Sequence, residues 1–156
     1  MQAVLLIGIQ ATGKSSFYKE RFFRSHVRIN LDMLKTRHRE KLLLEACLTI
    51  KQKFVIDNTN PTVDDRAKYL KPAMNAGFEI VGYYFQSRVN DCLPRNAQRP
   101  EEERVPEAAI YGTAGKLQIP TYEEGFDVLH YVWITKDGFR VAEWREDGAV
   151  ESRNES

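Results

Sequence analysis

Cysteine is scarce in this chain. Cys47 and Cys92 are its two cysteines, they form no CxxC, and their spacing fits no metal-ligand pattern. That excludes a disulfide scaffold and a zinc module, and sets the expectation of two free thiols in a reducing compartment. Long apolar runs are absent, so no membrane partner is expected. No basic stretch precedes the first apolar run, which argues against a signal peptide, and the expected location is the cytoplasm. Neither sign of charge is in excess: 23 Lys and Arg stand against 22 Asp and Glu, for a formal net charge of +1. The chain as a whole is no polycation, so any contact with nucleic acid must come from a local patch. Internal repeats, low-complexity tracts and linkers are absent as well.

What is present is enough apolar residue, 42% of 156, to build one core in a chain of one-domain size. The organisation read from it is a single domain over residues 1–150 and a polar tail over 151–156. Residues 3–7 form a short continuous apolar run, as in a strand buried on both faces. A helix is expected over 14–23 and a strand over 26–30, followed by a long helix over 33–51 that "KTRHREK" interrupts. A strand is expected over 53–57, then a helix capped by Asp64 and stopped near Gly77, then a strand over 79–85. Residues 88–105 read as a short helix and a mobile polar segment, and 106–117 resume helical spacing. A strand over 128–134 and the Asp-Gly pair in "KDGF" predict a C-terminal hairpin. Alternating strands and helices make this an α/β chain with a parallel sheet flanked by helices.

"LLIGIQATGKSS", residues 5–16, places Gly8, Gly13, Lys14 and Ser15 in the pattern G-x-x-x-x-G-K-[ST] between a buried strand and a helix. In such a P-loop, glycines permit backbone conformations that other residues resist, and successive N–H groups cradle phosphate oxygens at a helix N-terminus. Nucleotide contacts are therefore expected from Gly8, Ala11, Thr12, Gly13, Lys14, Ser15 and Ser16, with Lys14 reaching the β- and γ-phosphates and Ser15 ligating Mg²⁺. The loop names no reaction. No guanine-reading N-K-x-D segment is present, and a motor or AAA-type ATPase calls for a longer chain with further sensors. The short length points to a small phosphotransferase.

Asp32 follows the second expected strand, at the carboxyl edge where ligands bind in this architecture. It can accept the proton of an attacking hydroxyl, or it can cap the next helix, as can Asn30. Lys35 and Arg37 lie just beyond and are candidates for holding an acceptor phosphate. Asp57 ends the third expected strand, the usual place for an acid near Mg²⁺, with Asn58 and Thr59 beside it; the alternative is a polar turn closed by Pro61. Arg95 and Arg99 are spaced to share a helix face and are expected on a lid that neutralises transferring phosphates. The alternative is a solvated surface with arginines paired to Glu101, Glu102 and Glu103.

Taken together, "GIQATGKSS", "INLD", "VIDNTNP", "RNAQR", "VP" at 105–106 and "PTYEEGF" at 120–126 resemble the kinase domain of the polynucleotide 5′-hydroxyl kinases. The resemblance covers most of residues 2–134, and "IDNTNP" followed by the helix with Arg66 is its most specific part. It implies a P-loop NTPase fold with a lid, ATP and Mg²⁺ as cofactors, and the 5′-OH of a DNA or RNA end as acceptor. It implies Asp32 as general base, Asp57 as the acid of the acceptor and metal site, Arg99 as the lid arginine and Arg95 on the nucleotide side. Where the family often carries an arginine, this chain has Lys35, a point charge without a bidentate fork. A small-molecule or toxin-type kinase and a nucleotide-dependent switch without transfer are the other readings. The switch needs no base at Asp32.

Overall fold

Residues 3–7 are apolar without a break because the strand they form is covered on both faces. The computed structural model of the protein describes residues 1–145; the tail expected at 151–156 lies outside them. Strand β1 (Gln2–Ile7) is central in a six-stranded sheet with β2 (Val27–Ile29), β3 (Phe54–Asp57), β4 (Glu79–Phe85), β5 (Val128–Thr135) and β6 (Gly138–Glu143). The order is β2-β3-β1-β4-β5-β6. The first five strands are parallel, and β6 returns antiparallel to β5 as the expected hairpin. A period of two lies hidden in the apolar run. Ala3, Leu5 and Ile7 enter one core layer with Ile29, Phe54 and Ile56, whereas Val4 and Leu6 enter the other with Phe17, Tyr18 and Val55.

Helix α1 (Lys14–Arg21) covers the second layer; α3 (Arg37–Ile50) and α4 (Val63–Asn75) cover the first. The chain winds one way through β2 and β3 and the other way through β4 and β5. The carboxyl ends of β1 and β3 therefore border the crevice where this architecture binds ligands. A third apolar cluster joins Ile9 and Ala11 of the loop after β1 to Cys92 of α5 (Val89–Ala97) and Ile110 of α6 (Glu107–Lys116), seating these helices beside that loop.

Several boundaries differ from expectation. α1 stops at Arg21, because the Phe22 N–H closes the last turn on Tyr18 O and its ring turns into the core, leaving Phe23 exposed. The single helix expected over 33–51 is two. α2 (Leu31–Leu34) ends at Lys35, whose φ of 77° breaks the helix, and Thr36 caps α3 by accepting the Arg39 N–H. "RHREK" thus opens α3 rather than interrupting it, and Leu42 and Ile50 point to solvent. The cap of α4 is Thr62, which accepts the Asp65 N–H, and not Asp64, which sits inside the first turn. Arg95 and Arg99 do not share a helix face, because α5 ends at Ala97. Among the described residues no helix is long and apolar enough to cross a membrane.

Arg66 is fully buried, and it explains why "IDNTNP" and "PTYEEGF" belong together. Its Nε and Nη2 donate to Glu124 at 2.7 and 3.0 Å, and its Nη1 donates to Asn60 O at 2.9 Å. Asn60, held at φ 49°, donates from Nδ2 to Leu6 O at 2.7 Å, so the pair braces the loop after β3 against β1. Removing one partner leaves an uncompensated buried charge. Glu124→Ala is expected to lower stability by about 3–5 kcal/mol, while an Arg66→Met/Glu124→Leu double variant recovers most of the loss. Urea unfolding of the three proteins checks this, and an unchanged midpoint for Glu124→Ala would contradict it.

Candidate active site

The phosphate loop is built by close approach as much as by backbone freedom. Gly13, the N-cap of α1, has φ 93°, and a Cβ there would stand 2.9 Å from Phe139 Cε1. Gly8 has no positive φ. Its requirement is space, since a Cβ would lie 3.0 Å from Phe85 Cβ and 3.1 Å from Thr12 Oγ1. The left-handed position inside the loop falls instead on Ala11, at φ 65°. The loop is pinned by Gly8 N donating to Thr59 O at 3.0 Å and by Ile9 N donating to Ser87 Oγ at 3.1 Å. Thr12 turns its hydroxyl inward onto Ile9 O, which makes it a brace. Ser16 is exposed and does not line the cleft described next.

Lys14 is buried. Its Nζ donates to Gly8 O at 2.8 Å and Ile9 O at 2.7 Å, which fixes the ammonium at the mouth of the loop. Burial pulls this ammonium down to about 8, with Asp57 and Cys92 pulling up and Arg99 down. A cleft of about 360 Å³ opens over it. Lys14, Ser15, Asp32, Arg37, Asp57, Asn58, Thr59 and Arg99 all line that cleft, so most of the residues singled out in the sequence converge there.

Asp57 faces α1 because it shares the side of β3 with Val55. Its Oδ2 accepts the Ser15 hydroxyl at 3.0 Å and Arg28 Nε at 2.8 Å, and Arg28 Nη2 donates to Ser15 Oγ at 3.0 Å. Ser15 and Asp57 offer the hard oxygen donors that suit Mg²⁺, which keeps water and phosphate ligands of its own. Among the described residues no group of three or more His, Cys, Asp or Glu forms a metal cage. The donor set therefore suits a cation that arrives on phosphate. Arg28 belongs to none of the motifs singled out in the sequence. Only the pairing of β2 with β3, Arg28 opposite Val55, brings it to this site.

The helix cap is Asn30, not Asp32. Asn30 Oδ1 accepts the Met33 N–H at 2.9 Å while its Nδ2 donates to Asp57 O at 2.6 Å, and Asn58 Oδ1 accepts the Leu31 N–H at 2.9 Å. These bonds tie the first turn of α2 to the end of β3. They leave the Asp32 carboxylate facing the cleft with no hydrogen-bond or ion-pair partner among the described residues.

The far wall of the cleft departs from expectation. Lys35 is exposed and does not line it, because the left-handed turn that ends α2 carries it away. Arg37 lines it, together with Lys68 of α4 and Lys116 of α6, which no local pattern marked. Buried Glu40 sets this wall: it accepts Arg37 Nη1 at 2.9 Å, Tyr69 Oη at 3.0 Å and Asn58 Nδ2 at 3.0 Å. Burial and the neighbouring Glu40 push the Tyr69 hydroxyl up to about 12, so it remains a donor to that carboxylate.

The segment after α5 closes on itself. Asn96 Nδ2 donates to Val105 O at 2.8 Å and Val105 N donates to Asn96 Oδ1 at 3.1 Å, cinching the base of a loop that holds a 3-10 turn at Glu101–Glu103. Arg99 projects from this loop to the cleft, where its charge acts on Lys14. Among the described residues no ion pair joins Arg95, Arg99 or Arg104 to Glu101, Glu102 or Glu103. Arg95 is half-buried on α5 and does not line the cleft.

A family described as an AAA domain matches the chain over residues 4–118, from β1 through α6. The bifunctional polynucleotide phosphatase/kinase of Schizosaccharomyces pombe is 32% identical over 130 residues, which is 80% of this chain and 32% of that protein. The chain thus spans about a third of that relative. In fold it is similar to a gluconokinase from Sinorhizobium meliloti 1021, with TM-score 0.60, 15% identity, and 86% of this chain and 83% of the other covered. It is also similar to Chaetomium thermophilum Kti12 in complex with ADP-AlF3, with TM-score 0.58, 16% identity, and 97% and 94% covered.

Proposed function

The chain belongs to that AAA-domain family of P-loop proteins, and from that premise we propose that it is an ATP- and Mg²⁺-dependent kinase whose acceptor is the 5′-OH of a DNA or RNA end. The observation that carries the reading is Asp32: a carboxylate free of protein partners, held at the rim of a phosphate loop. A nucleotide switch has no use for such a group, whereas phosphoryl transfer to a hydroxyl requires a proton acceptor there.

In this reading the acceptor hydroxyl attacks the γ-phosphorus. The new O–P bond forms as the bond to the β–γ bridging oxygen breaks, and the hydroxyl proton passes to Asp32. Lys14 holds the β- and γ-phosphates, and Arg99 approaches from the lid to neutralise charge on the transferring group. Ser15 and Asp57 hold Mg²⁺, which when bound draws off phosphate charge. Arg37, Lys68 and Lys116 form the cationic wall on which acceptor phosphates lie. The relationship to the phosphatase/kinase, together with this wall, supports an anionic acceptor over a neutral one.

The experiment is transfer from γ-labelled ATP to short 5′-OH DNA and RNA oligonucleotides across a salt series. Three neutralised phosphates on a single strand correspond to a slope of about −2 in log acceptor affinity against log salt. Lys68→Ala is expected to raise the acceptor KM and leave that of ATP nearly unchanged, whereas Lys35→Ala leaves both as they were. Absence of transfer to any oligonucleotide, with transfer to a small hydroxyl compound that is flat across salt, would replace the polynucleotide acceptor with a small molecule.

A further inference from the structure

Arg28 has no part in the transfer just described, yet it contacts both side chains assigned to the metal. Its guanidinium straddles them, Nε on Asp57 Oδ2 at 2.8 Å and Nη2 on Ser15 Oγ at 3.0 Å. Ser15 spends its own proton on the same Asp57 oxygen at 3.0 Å. Asp57 Oδ2 and Ser15 Oγ, the oxygens that face each other here, are therefore each already engaged by an N–H or O–H donor. A dication seated between these oxygens would share its place with the guanidinium, which low-dielectric surroundings do not tolerate. Asp57 is also 2% exposed, so its carboxylate requires a positive partner at all times, and among the described residues Arg28 is the one that meets it in an ion pair.

The guanidinium has somewhere to go. Its side chain is 27% exposed, Nη1 lies 4.0 Å from Sδ of exposed Met33, and Cζ stands 5.9 Å from the centroid of the Tyr18 ring. These contacts are loose and part of the side chain faces solvent, so it has room to leave the two oxygens.

We infer that Arg28 is a displaceable internal cation that fills the divalent-metal position between Ser15 and Asp57 and yields it to metal carried by a nucleotide, not to free metal. This deepens the kinase reading and rests on it. Free metal brings charge but no new partner for the displaced arginine. A metal–nucleotide brings phosphate oxygens on which Arg28 re-pairs, so exchange of one cation for the other leaves no buried charge alone. The residue thereby selects the metal–nucleotide complex over either component and sets Ser15 and Asp57 in place beforehand.

The test is a titration of the nucleotide-free protein with Mn²⁺, followed by electron paramagnetic resonance. Arg28→Gln, which keeps a hydrogen-bonding fork and removes the charge, is expected to tighten free Mn²⁺ binding by about tenfold or more, a coupling of ordinary size for directly competing cations. Arg28→Lys, which keeps the charge, stays near the wild type. An unchanged or weaker Mn²⁺ affinity in Arg28→Gln overturns the inference. A second measurement needs only wild-type protein: the Arg28 Nε–H resonance, identified by its loss in Arg28→Lys, is expected to shift on adding Mg²⁺ with ADP and to stay put on adding Mg²⁺ alone. A shift with Mg²⁺ alone, or none with both, also overturns it. Binding of a fluorescent ATP analogue in the presence of Mg²⁺ separates the two levels. Nucleotide binding without the Arg28 effects discards the displaceable cation and leaves the kinase standing, and no nucleotide binding discards both.

Discussion

Asp32→Asn is expected to lower phosphoryl transfer by about 10²–10⁴-fold while ATP affinity stays within about twofold of wild type. The substitution preserves shape and removes the ability to take a proton. Because Asn30, not Asp32, caps α2, the helix does not depend on this carboxylate. Unfolding and ATP binding are thus expected to remain as they were, which separates a chemical loss from a structural one. The loss should appear in kcat and in kcat/KM together, since the proton leaves the acceptor only as the transition state is approached. Single-turnover transfer and nucleotide titration on the same preparation measure both. Full activity in Asp32→Asn would leave the carboxylate without a catalytic role.

Lys14→Ala is expected to reduce transfer by at least about 10³-fold with every acceptor and to weaken ATP binding, because it deletes the loop's cation on the β- and γ-phosphates. The wild-type lysine carries a pH signature that the variant lacks. With its ammonium brought down to about 8 by burial, the free protein loses this proton as pH rises through that value. Phosphate oxygens favour the charged form, so nucleotide binding above pH 8 takes up a proton. ATP affinity is then expected to hold steady below about pH 8 and to fall up to about tenfold for each further unit. Calorimetry at pH 9 in buffers of different ionisation heat reads the proton uptake directly. An affinity flat from pH 7 to 9.5 in the wild type would contradict it.

Two of the motif readings differ from the structure in detail. Gly8 was expected to be a conformational necessity, and it is a spatial one, because the clash a Cβ would meet is with Phe85 of β4 and Thr12, contacts that no linear spacing reveals. Lys35 was expected at the acceptor wall from its distance along the chain to Asp32. One residue at φ 77° turns it out of the cleft, and Lys68 and Lys116, from two other helices, line the wall instead. Spacing describes a site well only while the backbone between two residues is regular.

That condition explains what the linear order of residues sufficed to establish. The phosphate loop is contiguous, and its strand, loop and helix are local structures. Alternating apolar segments called for a parallel sheet, and the carboxyl ends of two short strands marked Asp32 and Asp57. All of these are short-range properties, legible in stretches of about ten residues. The identity of Asp57's partners, the Arg66–Glu124 pair and the place of Arg28 are of another kind. Each depends on groups far apart in the chain, 58 residues for Arg66 and Glu124 and 29 for Arg28 and Asp57. Burial is what fixed them. A guanidinium or carboxylate removed from water must find its counter-charge wherever the packed sheet and helices bring one. That choice exists only once β2 has paired with β3 and α4 has closed over the loop after β3.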